Sequence, residues 1–248
     1  MLRVADLSVA YGDEPVVEGI NLAVTSGEFA SLIGPSGSGK TSILRAITGL
    51  TAPQAGKIEL DIAPAEIGFL FQDDALLPWR TAAQNVALGL RIRGMDTDKA
   101  LAAADKWLVR LGIAGLGHRY PRALSGGQRK RVAIAQVLAL NPKLVLMDEP
   151  FASLDAIVRT RITQDLLGWV EREHLSVLLV THDLEEAIAL SDTVYVLGQG
   201  PRAHIRARYK VTIPRPRKLI EARKHPEFGP LLDRLWRDLE DVSASESV

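Results

Sequence analysis

The chain has 248 residues, no cysteine, and 30 Lys plus Arg against 30 Asp plus Glu, so its formal net charge is zero. This length can bury a core in one large domain or two small ones, and the lack of cysteine excludes disulfide stapling. The neutral balance argues against a surface built mainly for nucleic acid or anionic lipid, and a composition of 47% hydrophobic residues argues against disordered and fibrous classes.

The N-terminal segment predicts strands. Residues Leu2–Val9 and Val16–Val24 alternate or cluster apolar residues around a turn at Gly12–Pro15, which predicts an antiparallel hairpin. Residues 1–10 lack the charged start and apolar middle of a signal peptide. No run approaches the ~18 uninterrupted apolar residues of a membrane span. We therefore expect a cytoplasmic protein.

From Phe29 onward, short apolar runs are each followed by a helical pattern. Buried parallel strands that alternate with helices produce this texture, which predicts an α/β core. The pairs are Phe29–Ile33 with Ser42–Leu50, Leu144–Met147 with Ala156–Glu171, and Val177–Val180 with Leu184–Leu190.

Strand signals stop between about residues 81 and 140, where three helical stretches predict an inserted α-helical subdomain. The C-terminal region has apolar residues on one face of an amphipathic helix. These residues are Phe228, Leu231, Leu232, Leu235, Trp236 and Leu239. We expect this face to pack on the protein rather than on a membrane, because the opposite face carries acidic residues.

A glycine-rich loop follows the first predicted core strand. Its residues match the phosphate-loop pattern G-x-x-x-x-G-K-[ST]. They are Gly34, Pro35, Ser36, Gly37, Ser38, Gly39, Lys40 and Thr41. The glycines allow backbone N–H groups to converge on a phosphate at a helix N-terminus. Lys40 is expected to bridge the β- and γ-phosphates, and Thr41 to offer its hydroxyl to Mg²⁺.

Two carboxylates and a second glycine motif complete the candidate site. Asp148 and Glu149 end a buried strand, where Asp148 is expected to hold the Mg²⁺ shell and Glu149 to orient or deprotonate the attacking water. Ser125, Gly126, Gly127 and Gln128 begin a helix and predict another phosphate-binding nest. A plain N-cap role explains Ser125 but not the two glycines.

With these motifs in order, the sequence resembles the nucleotide-binding subunits of the ATP-binding cassette (ABC) family over nearly its whole length. The resemblance implies one domain over residues 1–248: a P-loop NTPase core with a parallel sheet, an N-terminal antiparallel β subdomain and the helical insertion. It implies that Tyr11 stacks on adenine and that Ser42 belongs to the nucleotide-binding set. Gln72 then reaches Mg²⁺ and the attacking water, and His182 contacts the γ-phosphate and holds Glu149.

The family also implies partners. Two cassettes bind head to tail, so that Ser125–Gln128 of one subunit close over ATP on the other, with Asp155 at the interface. Residues Phe71–Thr81 and Ile213–Arg217 resemble the branch that imports nitrate, taurine, alkanesulfonates and related solutes. This branch implies a permease that inserts a short helix near residues 73–94, an external solute-binding protein, and a place on the cytoplasmic face of the inner membrane.

Two positions depart from the family pattern. Lys130 stands where Gln is common and Gln136 where Arg is usual. We expect neither to touch the triphosphate-binding elements, so subunit contacts rather than hydrolysis should be affected. An exporter, a lipid transporter, a mechanical ATPase acting on DNA or ribosomes, and a cassette that senses ATP without hydrolysing it are the alternatives. Only 84 positions separate Lys40 from Leu124, too few for the coiled coils of the DNA-acting proteins.

The zero net charge conceals an asymmetry. Residues 202–224 contain nine Lys or Arg and one acid, so this basic stretch carries +8 and the remainder −8. It is expected either to be solvated or to meet an acidic surface, on the protein's own body or on its dimer partner.

Overall fold

The chain forms two β-sheets with helices on both sides of the larger one. A computed structural model describes residues 1–244. The strands are β1 Leu2–Tyr11, β2 Glu14–Val24, β3 Phe29–Ile33, β4 Ala55–Leu60, β5 Ile67–Leu70, β6 Leu144–Asp148, β7 Ser176–Thr181, β8 Thr193–Leu197 and β9 Ile205–Lys210. The helices are α1 Lys40–Ile47, α2 Ala82–Ile92, α3 Thr97–Arg110, α4 Gly126–Leu138, α5 Ala156–Arg172, α6 Leu184–Leu190, α7 Leu219–Ala222 and α8 Phe228–Ala244.

The smaller sheet is antiparallel, in the order β2-β1-β4. Leu2 of β1 lies opposite Val24 of β2 on one side and Leu60 of β4 on the other. The predicted N-terminal hairpin is confirmed, and β4 extends it into a sheet.

The larger sheet has the order β5-β6-β7-β3-β8-β9, in which neighbouring strands run parallel except for the antiparallel edge strand β9. Because successive side chains of a strand point to opposite faces, this sheet contributes residues to two hydrophobic cores, one on each face. Phe29 and Ile33 face the layer that contains α2 to α6, whereas Ala30 and Leu32 face α1 and the antiparallel sheet. The predicted P-loop α/β class is confirmed.

Residues 81–140 hold α2, α3 and α4, and within the described chain they contain no strand. Thr81 caps α2, because its side chain accepts a hydrogen bond from the Gln84 backbone, and Asp96 caps α3 in the same way. Val86, Ala104 and Ala133 bury their side chains in the common core, so the three helices pack on one another and on the sheet.

The C-terminal helix α8 packs on the body of the protein. Phe228, Leu231 and Leu235 are buried in the main core, which the amphipathic pattern predicts. Trp236, at the edge of the apolar stripe, is 53% exposed. The end of the predicted 200–248 region, residues 245–248, lies outside the described residues. Within residues 1–244, no helix has the length and apolarity needed to cross a membrane.

Candidate functional site

The parallel strand order places the predicted motifs at one edge of the central sheet. The carboxyl ends of β5, β6, β7 and β3 are neighbours at that edge. They lead into Gln72, Glu149, His182 and the loop 34–39 respectively. This is the edge at which open α/β sheets bind ligands.

The phosphate loop connects β3 to α1. Gly39 is the N-cap of α1 with a φ of 94°, a left-handed conformation in which an L side chain is strained, and its own lack of a side chain leaves the helix N-terminus without a side-chain cap. Gly34 leaves no room for a side chain, since a Cβ would lie 2.9 Å from the carbonyl oxygen of Leu197. The Ser38 hydroxyl oxygen is buried without a hydrogen-bond partner. Free N–H groups and an unsatisfied hydroxyl suit a phosphate.

Lys40 is buried at the first position of α1. Its Nζ donates to the carbonyl oxygens of Gly34, at 2.9 Å, and Pro35, at 2.7 Å. Burial lowers the pKa of Lys40, while the nearby carboxylates of Glu149 and Asp148 act in the opposite direction. Its ammonium group therefore lies inside the predicted phosphate-binding loop. Ser36 of the same loop is exposed.

Thr41 and Asp148 meet across the site. The Thr41 hydroxyl donates to Oδ1 of Asp148 over 3.1 Å. Burial raises the pKa of Asp148, and the bond from Thr41 opposes that rise. One hydroxyl and one carboxylate fit Mg²⁺, which is usually held by one or two protein oxygens with water and substrate phosphates. The described residues contain no cluster of three or more His, Cys, Asp and Glu side chains that could hold a metal without a substrate.

Glu149 follows β6 in a strained conformation. Its φ is +41°, which is uncommon for a residue with a side chain, and its N–H is held by the carbonyl oxygen of Val180 at 2.9 Å. Oε2 of Glu149 lies 3.0 Å from Nδ1 of His182. The imidazole is 57% exposed, whereas the carboxylate is 18% exposed. The structure thus brings together the two residues that the resemblance pairs.

Tyr11 and Ser42 flank the phosphate loop. Tyr11 ends β1 with its ring 46% exposed, and its hydroxyl lies 3.3 Å from the hydroxyl of Ser42. This hydrogen bond lowers the pKa of Tyr11. The exposed ring is available for stacking.

The glycine motif at the start of α4 lies apart from the phosphate loop. Ser125 is the N-cap: its Oγ accepts from the Gln128 N–H, and Gln128 Oε1 accepts from the Ser125 N–H. The capping role leaves the Ser125 proton free to donate. Ser125, Gly127 and Gln128 line a cleft with Val158 of α5, and no phosphate-loop residue is in its lining.

The two glycines of this motif differ. A Cβ on Gly127 would lie 2.7 Å from Cγ1 of Val158, so close packing of α4 on α5 accounts for that glycine. The N-cap role of Ser125 does not explain Gly127, but this packing does. A Cβ on Gly126 would meet nothing nearer than 3.8 Å, and packing leaves that glycine unexplained. Asp155 caps α5 by accepting from the Val158 N–H at 3.0 Å.

Lys130, which we expected to touch no triphosphate-binding element, contacts the loop that contains the candidate site residue Gln72. Lys130 is fully buried and donates to the backbone carbonyl of Gln72 over 3.2 Å. Its Nζ also lies 2.8 Å from Oδ1 of Asp74. A signal in the sequence was present: Lys130 precedes Ile134 by four residues and Val137 by seven, which places it on the buried face of α4.

Glu186 is a second buried acid near the site, and no sequence pattern predicted its position. Glu186 of α6 accepts a hydrogen bond from the Thr181 hydroxyl at 2.8 Å, next to His182. Burial raises its pKa to about 7.

Part of the basic stretch pairs with the protein's own body, although Arg217 is the one buried residue among its nine Lys and Arg and the other eight are exposed. Arg215 and Arg217 both bind the carboxylate of Asp192, and Arg217 is 5% exposed. Arg202 lies 3.7 Å from Glu18, and another ion pair joins the stretch to α6. Of the two acidic surfaces anticipated, the intramolecular one is found.

Comparison with known proteins agrees with this geometry. The ABC transporter family profile matches residues 17–152. The chain is 43% identical over 240 residues to the aliphatic sulfonates import ATP-binding protein SsuB 1 of Paracoccus denitrificans, covering 96% of this chain and 93% of that protein. It is also 43% identical over 206 residues to the taurine import ATP-binding protein TauB of Escherichia coli K12, covering 81% of each.

Solved structures show the same fold. The dimeric ATP-binding cassette MJ0796 bound to ADP and phosphate has a TM-score of 0.75 and 31% identity, covering 85% of this chain and 99% of that one. CbiO1 of Clostridium perfringens, part of a transporter complex, has a TM-score of 0.76 and 28% identity, covering 94% and 98%. The chain belongs to the ABC transporter family, as an ATP-binding subunit that hydrolyses ATP to drive a transporter.

Proposed function

We propose that this chain binds ATP with Mg²⁺ at the sheet edge, closes on a second cassette, and drives import of a small sulfonate such as taurine through a membrane permease. The observation that supports the chemistry is the neighbourhood of Lys40, Asp148 and Glu149 at one edge of the parallel sheet. The names of the relatives support the substrate class.

In the proposed mechanism, residues 34–41 bind the triphosphate. Backbone N–H groups and the Ser38 hydroxyl receive phosphate oxygens, and Lys40 exchanges its two carbonyl partners for the β- and γ-phosphates. Thr41 and Asp148 would hold Mg²⁺, which supplies charge neutralisation to the phosphates when bound. Tyr11 stacks on adenine and Ser42 supports its hydroxyl.

Glu149 and His182 prepare the attacking water. The 3.0 Å contact between them fixes the Glu149 carboxylate. This carboxylate accepts a proton from the water as the water oxygen bonds to the γ-phosphorus and the bond from that phosphorus to the β,γ-bridging oxygen breaks, which releases ADP and phosphate. Gln72 orients that water from the end of β5. The strained backbone at Glu149 aims its side chain into the site.

The dimer follows from the separation of the two phosphate-binding groups. Ser125, Gly127 and Gln128 at the start of α4 line a cleft that contains no residue of their own phosphate loop, so we infer that the motif serves the nucleotide of a second cassette. Asp155 lies at the same face. ATP then favours the closed dimer, and loss of the γ-phosphate releases it.

The permease is proposed to dock on residues 73–94. Asn85 is fully buried and binds the carbonyl oxygens of Leu77, Arg80 and Thr81, which holds the loop in a fixed shape. Trp79 on this loop is 69% exposed. We further propose that residues 1–248 act as one domain, with 81–140 as its helical subdomain, peripheral to the inner membrane and supplied by an external solute-binding protein.

Substitution of Glu149 by Gln tests the chemistry. This variant should lose ATP turnover while gaining a stable ATP-bound dimer, because it retains nucleotide contacts but lacks the base. Turnover is measured by phosphate release and dimerisation by size exclusion with ATP. Glu66→Gln, which removes a partly exposed acid paired with Lys143 outside the candidate site, is the matched control and should behave as wild type. Normal turnover in Glu149→Gln would remove that residue from its role.

Co-purification with the membrane subunits tests the substrate. In the reconstituted complex with its solute-binding protein, taurine or an alkanesulfonate should stimulate ATP hydrolysis. Stimulation by nitrate and not by sulfonates would reassign the substrate within the branch. Stimulation by DNA or ribosomes and not by the permease would favour the mechanical alternative.

A further inference from the structure

A fully buried lysine connects the two phosphate-binding parts of the site. Lys130 lies in the second turn of α4, five residues after Ser125. None of its surface is exposed. Burial of an ammonium group is costly unless it is paired and hydrogen-bonded. A lysine retained in this position therefore has partners that compensate its charge.

Its partners all belong to the loop that follows β5. The Lys130 ammonium donates to the Gln72 carbonyl at 3.2 Å. It also lies 2.8 Å from Oδ1 of Asp74, an ion pair by distance that lacks the alignment of a hydrogen bond. The Asp74 carboxylate is 18% exposed. The side chain of Lys130 thus contacts the loop after β5 at two residues, Gln72 and Asp74.

Arg129 strengthens the same connection. Its Nε lies 3.5 Å from Oδ2 of Asp74, and its Nη1 donates to the carbonyl oxygen of Leu124 at 2.8 Å. Leu124 immediately precedes Ser125. The Gln72 loop and the start of α4 are therefore joined by charge and by hydrogen bonds, and a displacement of one segment strains the other.

We propose that Lys130 is a positioning residue that holds the backbone of Gln72 in place for hydrolysis and fixes its distance from Ser125 at the start of α4. This inference rests on the proposed role of Gln72. The ammonium anchors the Gln72 carbonyl, and Asp74 offsets its charge. A movement of the proposed permease-docking segment, residues 73–94, would then displace both Gln72 after β5 and Ser125 at the start of α4.

A charge-free double substitution separates positioning from stability. Lys130→Met leaves the Asp74 carboxylate with the more distant Arg129 as its remaining partner and lowers stability. Lys130→Met with Asp74→Asn removes both charges of the Lys130–Asp74 pair and restores stability in urea unfolding. The double variant still lacks a donor to the Gln72 carbonyl. We expect its kcat for ATP to fall about tenfold or more, with KM for ATP changed by less than about twofold. Recovery of kcat together with stability would overturn the proposal and leave a structural ion pair.

Two further variants complete the test. Lys143→Met removes a lysine paired with Glu66 at the opposite end of the sheet and should leave kcat unchanged. Gln72→Ala should lower kcat; if it does not, the proposed role of Gln72 fails. A low kcat in Gln72→Ala with a normal kcat in the double variant overturns the Lys130 inference alone.

Should both methionine variants fail to fold, Lys130→Arg retains the charge and places the donors at the end of a longer, planar group. The displaced Gln72 carbonyl should then lower kcat while KM for ATP is unchanged. An unchanged kcat in Lys130→Arg would overturn the proposal.

Discussion

Replacement of Arg217 by Met should be among the most destabilising substitutions in the C-terminal region. The guanidinium has four protein acceptors: the carbonyl oxygens of Ile213, Leu190 and Ser191, at 2.8, 3.2 and 2.6 Å, and Oδ1 of Asp192, at 3.0 Å. The side chain is 4% exposed. This network fastens the segment after β9 to the end of α6.

The magnitude follows from what Met leaves behind. Met fills the volume of the aliphatic stem but donates no hydrogen bond, so the carbonyl groups and the carboxylate of Asp192 lose their partner. Breaking a buried, hydrogen-bonded ion pair by removing one member costs about 3–5 kcal/mol. Asp192 retains Arg215 as a second partner, so we expect a loss of about 3 kcal/mol, the lower end of that range.

Urea unfolding followed by tryptophan fluorescence measures this loss as a lower midpoint with an unchanged slope. Arg202→Met is the matched control, because Arg202 belongs to the same basic stretch but is exposed and lies 3.7 Å from Glu18. It should change the free energy of unfolding by less than about 0.5 kcal/mol. A loss below about 1 kcal/mol in Arg217→Met, or equal losses in the two variants, would refute the assignment of the basic stretch to intramolecular contacts.

Three further predictions concern single residues. Burial raises the pKa of Glu186 to about 7, so its contribution to stability is greatest below pH 4.5 and is lost as the pH rises through about 7. The free energy of unfolding of the wild type should therefore fall by about 3 kcal/mol more between pH 5 and pH 8 than that of Glu186→Gln, measured by urea unfolding at the two pH values. The same pH dependence of stability in both proteins would contradict this. Gly127→Ala should cost about 1–3 kcal/mol through its contact with Val158, and Val158→Ala in the same chain should relieve that cost in the same assay. Tyr11→Phe should retain ATP affinity and Tyr11→Ala should lose up to about tenfold in equilibrium binding, since stacking uses the ring; equal affinities in the two would exclude stacking.

Most of the core elements could be predicted from the sequence because their residues are buried on both faces. The strands that contain Phe29, Val145 and Leu178 are continuous apolar runs, and the helices after them show a 3.6-residue period. Strand β4, with the sequence AGKIEL, shows no such pattern, because half of its residues are exposed and the residues of β1 that pair with it are 47 or more positions away in the chain. The pairing of β4 with β1 is therefore visible only in the tertiary structure.

The residues of the candidate site were predictable for a different reason. The phosphate loop and the Asp148-Glu149 pair are local patterns whose chemistry depends on short spacing and on the end of a strand. The contacts of Lys130 were not predictable in the same way, because its partners, Gln72 and Asp74, are more than 50 positions away in the chain. The spacing of apolar residues on α4 indicates that Lys130 is buried, but only the tertiary structure shows that Gln72 and Asp74 contact it.

The zero net charge illustrates the same division. The sequence by itself determined the family and the fold class and supplied the candidate nucleotide-binding residues, since these depend on motifs and on local burial patterns. It also showed that a basic stretch balances an acidic remainder. Only the tertiary structure decided where that charge goes: Arg215 and Arg217 converge on Asp192, and Lys130 on Asp74. Charge composition is a sum over residues, whereas electrostatic stabilisation depends on distance and burial, which are set when distant segments pack together.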